Sequence, residues 1–147
     1  MKQNILFVCH GNICRSPMAE FMMKKLVKDA GREADFEIDS VATSTEEIGN
    51  DMYPPARRCL RGHGVPFGRR RARQITQADY DHYDRIFVMD RNNLRWLQML
   101  GFRDTEHKVS LLMSLVGEER DVADPWYTDN FEKTYEDISR ALPQLLK

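Results

Sequence analysis

The hydrophobic pattern of the first third of the chain changes between the period of a strand and that of a helix. Asn4 to Val8 is a short apolar run that ends at the polar residues 10–12, as a buried strand does. From Ser16 onward apolar residues recur every three to four positions until Gly31. This pattern predicts a helix with Pro17 at its first position, where the missing N–H has no partner within the helix. Residues 36–42 alternate in polarity and predict a second strand.

The rest of the chain continues this alternation after a loop over residues 43–55. The predicted elements are a helix over 56–62, a strand over 85–89, a helix over 92–100, a weaker strand over 108–112, an acidic loop over 117–127, and a last helix from Phe131 that Pro143 ends early or kinks. The pattern predicts an α/β fold, a single domain over residues 1–147 with a four-stranded parallel sheet flanked by helices on both faces. Such sheets bind ligands beyond the carboxyl ends of their strands.

Composition and charge support one globular domain and argue against several other classes of protein. The length of 147 residues is close to the typical length of one domain, about 150 residues. The 22 basic and 23 acidic residues leave a net charge of -1, which argues against nucleic-acid binding and stable membrane association. The apolar runs are too short to span a bilayer, and the N-terminus lacks a signal-peptide pattern. We therefore expect a cytoplasmic protein whose three irregularly spaced cysteines are reduced.

The loop from Cys9 to Ser16, between the first strand and the first helix, is the strongest candidate for a site. Gly11 and Asn12 tolerate positive φ, and a helix follows at once, so backbone N–H groups can converge here on a phosphate. The Arg15 guanidinium can bind two phosphate oxygens. The same dipoles favour a Cys9 thiolate, and Ser16 can donate to its sulfur. The alternative is an inert cysteine at a strand end; nucleotide binding is not indicated, because neither glycine-rich nucleotide motif occurs.

Further motifs are spread along the whole chain. They are Val8-Cys9-His10-Gly11-Asn12-Ile13-Cys14-Arg15-Ser16-Pro17-Met18-Ala19-Glu20, Asp39-Ser40 with Ala42-Thr43-Ser44, His63-Gly64, Ala72-Arg73-Gln74, Met89-Asp90 and Asp124-Pro125-Trp126-Tyr127. With these motifs the chain resembles the low-molecular-weight protein tyrosine phosphatases. The resemblance implies hydrolysis of phosphotyrosine in proteins through a phosphocysteine intermediate, without cofactor or metal, by a monomer or a weakly self-associating protein.

The leaving tyrosine needs a proton donor, because a phenol has a pKa of about 10 and its anion leaves poorly. The resemblance implies that Asp124 gives this proton and then activates the water that hydrolyses the phosphocysteine. Asp124 could also be one more solvated carboxylate among the eight acids of residues 118–139; its Asp-Pro-aromatic context favours the catalytic role. Trp126 and Tyr127 beside it could be core residues, but we favour a wall against which a phenyl ring packs.

The resemblance also assigns supporting roles. The predicted phosphate- and substrate-binding residues are His10, Gly11, Asn12, Ile13, Cys14, Ser16, Trp126 and Tyr127. Asn12, Ser40 and His63 match residues that brace the loop by hydrogen bonds. Cys14 could be simple packing, but the resemblance suggests a reversible disulfide with Cys9 that shields the nucleophile from irreversible oxidation. Cys59 is expected to be buried in a helix.

Two features leave the substrate open. Residues 57–73 contain seven arginines and no acid. The favoured interpretation is a solvated surface; a rim that attracts acidic substrates comes second, and a nucleic-acid-binding surface comes last. Residues 44–47 read Ser-Thr-Glu-Glu, where many family members carry an aromatic side chain that faces the one beside the acid. The pocket is therefore expected to be half-walled.

Three other functions are less consistent with the chain. Related arginine phosphatases typically carry threonine in place of Ile13 and lack the second aromatic after Asp-Pro, so Ile13 and Tyr127 favour tyrosine. Arsenate reductases need two relay cysteines near mid-chain, where only Cys59 is present. A phosphate-binding adaptor would not need Asp124.

Overall fold

The structure is a computed structural model that describes residues 2–147. Its strands and α-helices, in chain order, are β1 (Gln3–Cys9), α1 (Arg15–Asp29), β2 (Phe36–Ala42), α2 (Pro54–Gly62), α3 (Gln77–His82), β3 (Arg85–Val88), α4 (Arg91–Met99), β4 (Val109–Leu111), α5 (Pro125–Thr128) and α6 (Phe131–Ala141). Short 3-10 helices lie over Glu33–Asp35, Leu112–Val116 and Leu142–Leu146.

The four strands form one parallel sheet in the order β2-β1-β3-β4. The strand β1 lies between β2 and β3, and its last residue, Cys9, is paired with Ala42 at the end of β2. The predicted four-stranded parallel sheet is therefore confirmed. Because the strands are parallel, the loops after β1, β2 and β3 leave the sheet at the same edge.

Successive residues of β1 point to opposite faces of the sheet, and both faces are covered. Ile5 and Phe7 pack into the core layer that contains buried residues of α1, α2 and α6. Leu6 and Val8 pack into a second layer with residues of α3 and α4. All four side chains are completely buried, which agrees with a continuous apolar strand covered on both sides.

Two short helices were not predicted from the sequence. The helix α3 has six residues, too few for an apolar period, and begins with a capping box in which the Thr76 hydroxyl accepts from the N–H of Asp79 at 3.2 Å. The helix α5 has four residues and overlaps the end of the predicted acidic loop. The last helix ends at Ala141, before Pro143, as predicted. None of the helices described over 2–147 has the length and apolar character needed to cross a bilayer.

Candidate active site

Cys9 lies at the end of β1, at the start of the loop that leads into α1. Its Sγ accepts hydrogen bonds from the backbone N–H groups of Asn12 at 3.3 Å and Ser16 at 3.4 Å, and the Ser16 hydroxyl lies 3.0 Å away. The cysteine is only 3% exposed. Two backbone N–H groups and one hydroxyl group therefore converge on the sulfur, at the place where the loop meets the start of α1.

Asn12 holds this loop in shape from behind. It is completely buried and adopts a left-handed conformation with φ of 59°. Its Nδ2 donates to the hydroxyl oxygens of Ser16 at 2.8 Å and Ser40 at 2.9 Å. Its Oδ1 accepts from the Arg70 guanidinium and from the backbone N–H of Arg73 at 3.3 Å. Both ends of the Asn12 side-chain amide are therefore hydrogen-bonded. These bonds fix the orientation in which the backbone N–H of Asn12 reaches the Cys9 sulfur.

The prediction that His63 braces the loop is wrong. His63 follows α2, and its Nε2 lies 2.7 Å from a carboxylate oxygen of Glu132. Its ring stacks on that of Tyr135, with centroids 3.7 Å apart and planes 8° from parallel. Because α2 packs against α6, it brings His63 to α6 rather than to the loop. The cation that contacts Asn12 is Arg70.

Arg15 begins α1 and is 2% exposed. Its Nη1 donates to Asp90 Oδ2 at 2.7 Å and to the carbonyl oxygen of Val122 at 2.8 Å. Its Nη2 points to Asp124 Oδ2 at 3.4 Å. Burial alone would lower the pKa of Arg15, but the nearby Cys9, Asp124 and Asp90 raise it above its usual value. The guanidinium is therefore charged and fixed in direction.

Asp124 caps the N-terminus of the short helix α5. Its Oδ1 accepts from the backbone N–H of Trp126 at 3.0 Å, and its other oxygen faces Arg15. Its side chain is 26% exposed. The structure therefore places a solvent-accessible carboxyl group beside the loop, although the two are separated by more than a hundred residues in sequence.

A cavity of about 120 Å³ lies where these groups meet. Its lining residues are Cys9, His10, Gly11, Ile13, Cys14, Arg15, Glu46, Glu47, Asp124, Trp126 and Tyr127. Among the predicted loop residues, Asn12 and Ser16 lie behind the cavity and contact the Cys9 sulfur. A Cβ at Gly11 would come 3.3 Å from the Glu47 side chain, so a larger residue there would require that side chain to move by a few tenths of an ångström.

The two aromatic residues beside Asp124 are not core residues. Trp126 is 52% exposed and Tyr127 is 85% exposed, and both line the cavity. The ring of Tyr53 supports Trp126 from behind at 4.8 Å, and Phe131 packs on Tyr53 in turn at 6.1 Å. The wall is therefore a supported aromatic stack, and the supporting residue Tyr53 was not predicted from the sequence.

The other side of the cavity is acidic. Glu46 and Glu47 line it, and Glu46 Oε2 lies 3.1 Å from Nε2 of His10. The His10 ring contacts Trp96 edge-on, with centroids 5.6 Å apart. This arrangement agrees with the expected half-walled pocket, because aromatic side chains cover one side and carboxylates the other.

Cys14 lines the same cavity and is buried, and all three cysteines are free thiols. Burial, followed by the charges of Cys9 and Asp124, raises the pKa of Cys14 well above its usual value. Cys14 is thus a neutral thiol in the same cavity as Cys9.

The arginine-rich segment is not only a solvated face. Arg70 reaches Asn12, and Arg73 forms ion pairs with Asp39 at 3.0 Å and Asp79 at 2.9 Å. Sequence reasoning missed Arg70 because nothing in a run of arginines distinguishes the one that turns inward. It also missed Asp90 as the anchor of Arg15, although Met89-Asp90 was among the motifs.

Comparisons with known proteins agree with this geometry. Residues 4–147 match the sequence model of a family described as low molecular weight phosphotyrosine protein phosphatase. The low molecular weight protein-tyrosine-phosphatase YfkJ of Bacillus subtilis is 39% identical, over 97% of this chain and 93% of that protein. The low molecular weight phosphotyrosine protein phosphatase of Gallus gallus is also 39% identical, over 99% and 94%.

A solved structure extends the similarity from sequence to fold. The crystal structure of YfkJ from Bacillus subtilis superimposes with a TM-score of 0.93 at 35% identity, and the match covers 99% of this chain and 93% of that one. Sequence and fold therefore agree over nearly the full length. The chain belongs to the low molecular weight phosphotyrosine protein phosphatase family.

Proposed function

We propose that this protein hydrolyses phosphotyrosine in proteins, with Cys9 as nucleophile, Arg15 as phosphate clamp and Asp124 as general acid and base. The observation that carries the proposal is the convergence of these three side chains on one cavity. A thiolate, a fixed guanidinium and a carboxyl group meet there, and each has the chemistry that one part of phosphate-ester hydrolysis needs.

In the first step the Cys9 thiolate attacks phosphorus, and an S–P bond forms as the bond between phosphorus and the tyrosyl oxygen breaks. The Asp124 carboxyl group gives its proton to the departing oxygen. Arg15 binds two of the phosphate oxygens and stabilises the charge that develops on them.

In the second step the Asp124 carboxylate accepts a proton from water, and the water oxygen attacks phosphorus. The S–P bond breaks, inorganic phosphate is released, and the electron pair returns to Cys9 as a thiolate. The Ser16 hydroxyl, 3.0 Å from the sulfur, stabilises this leaving thiolate. Its oxygen accepts from Asn12, so its hydrogen can point either at the sulfur, 3.0 Å away, or at the carbonyl oxygen of Val41, 3.4 Å away. The charge on a leaving thiolate favours the first of these two orientations.

The aromatic side of the cavity favours tyrosine as the substrate residue. A phenyl ring can pack against Trp126 and Tyr127, whereas a phosphoserine side chain is too short to reach them. The opposite side carries Glu46 and Glu47. We therefore expect peptides with basic residues near the phosphotyrosine to be preferred over acidic ones, since like charges repel at this mouth.

Steady-state hydrolysis of phosphotyrosine, phosphoserine and phosphoarginine, measured side by side, tests the proposal. We expect kcat/KM for phosphotyrosine to exceed the other two by about 100-fold or more, which corresponds to about 2.7 kcal/mol of transition-state binding. Cys9→Ser should abolish turnover, and Arg15→Lys should fail because an ammonium group cannot make the two-pronged contact. The exposed Arg103→Lys, outside the cavity, is the matched control. A higher kcat/KM for phosphoarginine than for phosphotyrosine would contradict the proposal and make phosphoarginine the substrate.

The cellular setting is part of the same proposal. The proposed nucleophile Cys9 acts as a reduced cysteine, and a reducing compartment maintains that state, which supports a cytoplasmic location. The near-neutral net charge of -1 supports protein substrates rather than nucleic acid. We expect a monomer or weak self-association, and size-exclusion chromatography at several concentrations tests this.

A further inference from the structure

Away from the active-site cavity, residues 2–147 contain one group of three side chains with the donors that bind metal ions. Cys59, His63 and Glu132 place a sulfur, an imidazole nitrogen and a carboxylate oxygen within 4.8 Å of one another. The Cys59 sulfur lies 3.6 Å from Glu132 Oε1, and His63 Nε2 lies 2.7 Å from Glu132 Oε2. The phosphatase reaction described above uses none of these residues.

The fold holds these donors in place from two helices. Cys59 is in the last turn of α2 and His63 follows the helix, so a spacing of four residues puts both on the same side. Glu132 is in the first turn of α6. The imidazole of His63 is oriented by its stack on Tyr135, at 3.7 Å and 8°. Two of the three donors are thus fixed by helix geometry and aromatic packing before any cation arrives.

We propose that Cys59, His63 and Glu132 form a binding site for a divalent cation of the zinc class, which links α2 to α6. Thiolate, imidazole and carboxylate are the ligands that zinc takes, and three protein ligands with water in the fourth position form a common tetrahedral set. Bond lengths to zinc place tetrahedral sulfur and oxygen ligands about 3.6 Å apart, and nitrogen and oxygen ligands about 3.4 Å apart. The observed sulfur–oxygen distance of 3.6 Å agrees with the first value, and the observed nitrogen–oxygen distance of 2.7 Å is shorter than the second.

Binding needs only a small rearrangement. Glu132 is 63% exposed and can turn so that its hydrogen bond to His63 is exchanged for a bond to the cation. The Cys59 thiol loses its proton to solvent as the metal–sulfur bond forms. The partly exposed His63 and Glu132 leave a route for the ion.

The site also connects to the aromatic wall of the active-site cavity. Glu132 is next to Phe131, which packs on Tyr53, and Tyr53 supports Trp126. A cation that holds the start of α6 against α2 therefore stabilises the segment that follows Asp124. The binding itself is independent of phosphatase activity, so each can be tested without the other.

Cobalt(II) titration of the Cys9→Ser/Cys14→Ser double variant tests the proposal, because Cys59 is then the one remaining thiol. We expect one equivalent of Co²⁺ to produce a thiolate-to-cobalt charge-transfer band, and zinc to displace it. Adding Cys59→Ser should abolish the band. His63→Gln and Glu132→Gln, both at exposed positions, should each weaken binding by about tenfold or more. Glu136→Gln, one turn further along α6, is the matched control and should bind as the double variant does.

Thermal unfolding gives a second readout. Zinc at 100 times its Kd should raise the Tm of the double variant by several degrees, as binding to the folded state requires, and should not raise it when Cys59 is also replaced. Circular dichroism checks that each variant is folded. Absence of the band in the double variant, its survival in the Cys59→Ser background, or affinities unchanged by His63→Gln and Glu132→Gln would each overturn the proposal.

Discussion

Arg70 donates a hydrogen bond to the side-chain oxygen of Asn12, although the two residues are 58 positions apart in sequence. Asn12 carries the backbone N–H that points at the Cys9 sulfur, and its side-chain hydrogen bonds hold the left-handed backbone that aims this N–H. Arg70 therefore acts on the nucleophile through Asn12 and is a positioning residue. Burial lowers the pKa of Arg70, but a guanidinium still carries its charge at neutral pH.

Loss of the Arg70 side chain should reduce activity. Arg70→Met should lower kcat/KM by about 10- to 100-fold, the equivalent of one hydrogen bond from a charged donor at about 1.5–3 kcal/mol. Arg70→His should restore part of the activity, more below about pH 6.5, where the imidazole is charged. The exposed neighbour Arg71→Met is the control. Equal loss in the Met and His variants at every pH would leave Arg70 with a purely structural role.

Asp124 can be tested by changing the leaving group. Asp124→Asn should reduce the rate on phosphotyrosine by about 10² to 10⁴, the usual contribution of a positioned general acid. The loss should shrink for aryl phosphates whose phenol is acidic enough to leave without a proton. Because Cys9 and Arg15 are intact, the variant should still bind phosphorylated proteins. A uniform loss across leaving groups would point to loop positioning, and Asp90, Asp121 or Asp129 would become candidates for the acid.

Cys14 should make oxidation reversible. Peroxide converts the Cys9 thiolate to a sulfenic acid, and the Cys14 thiol can then displace water from it to form a disulfide. Both residues line the same cavity. We expect a reductant to restore activity in the native protein and much less in Cys14→Ser, with recovery measured after equal exposure to peroxide. Cys59→Ser, which removes a thiol outside the cavity, should recover as the native protein does. Equal recovery with and without Cys14 would remove its protective role.

Acid should destabilise the fold through paired aspartates. Asp137 is 1% exposed and bonds to the Arg120 guanidinium at 2.9 and 3.1 Å. Burial alone would raise the pKa of Asp137, but hydrogen bonds from Arg120 and Lys133 lower it below its usual value. A lowered pKa in the folded state adds stability above the unfolded value of about 3.9, and this stability is lost as pH falls through the folded pKa. The free energy of unfolding should therefore fall steeply below about pH 4.

Urea unfolding at pH 7 and at pH 3 to 4 measures this contribution. Asp137→Asn should lower the free energy of unfolding at pH 7 by about 1–3 kcal/mol, because it weakens charged hydrogen bonds at a buried site. Its stability should also depend less on pH in the acidic range. Glu136→Gln changes the exposed neighbour and should leave both quantities close to those of the native protein. An unchanged acid dependence in Asp137→Asn would assign the effect to other carboxylates.

The parts of the protein that the sequence determined are those whose cause is local. An apolar run, a polar turn at Gly11 and Asn12, and a helical pattern are sufficient to predict the strand, loop and helix around Cys9. The helix begins at Arg15, two residues before Pro17, so its first residue was not predicted correctly. The periodicities of the remaining long elements likewise predict the parallel sheet. Helix α3 was not predicted because its six residues make fewer than two helical turns, too few to show a hydrophobic period. Only its capping residues indicate a helix.

Tertiary structure decided which distant residues meet the loop. Arg15 is anchored by Asp90 and Val122, and Asn12 is held by Arg70; these contacts depend on how strands and helices pack. The assignment of His63 failed for the same reason, since the packing of α2 on α6 carries it to Glu132. The residue type shows what chemistry a side chain can perform. The partner that the side chain meets depends on chain topology and packing, and these result from all the contacts of the folded chain together.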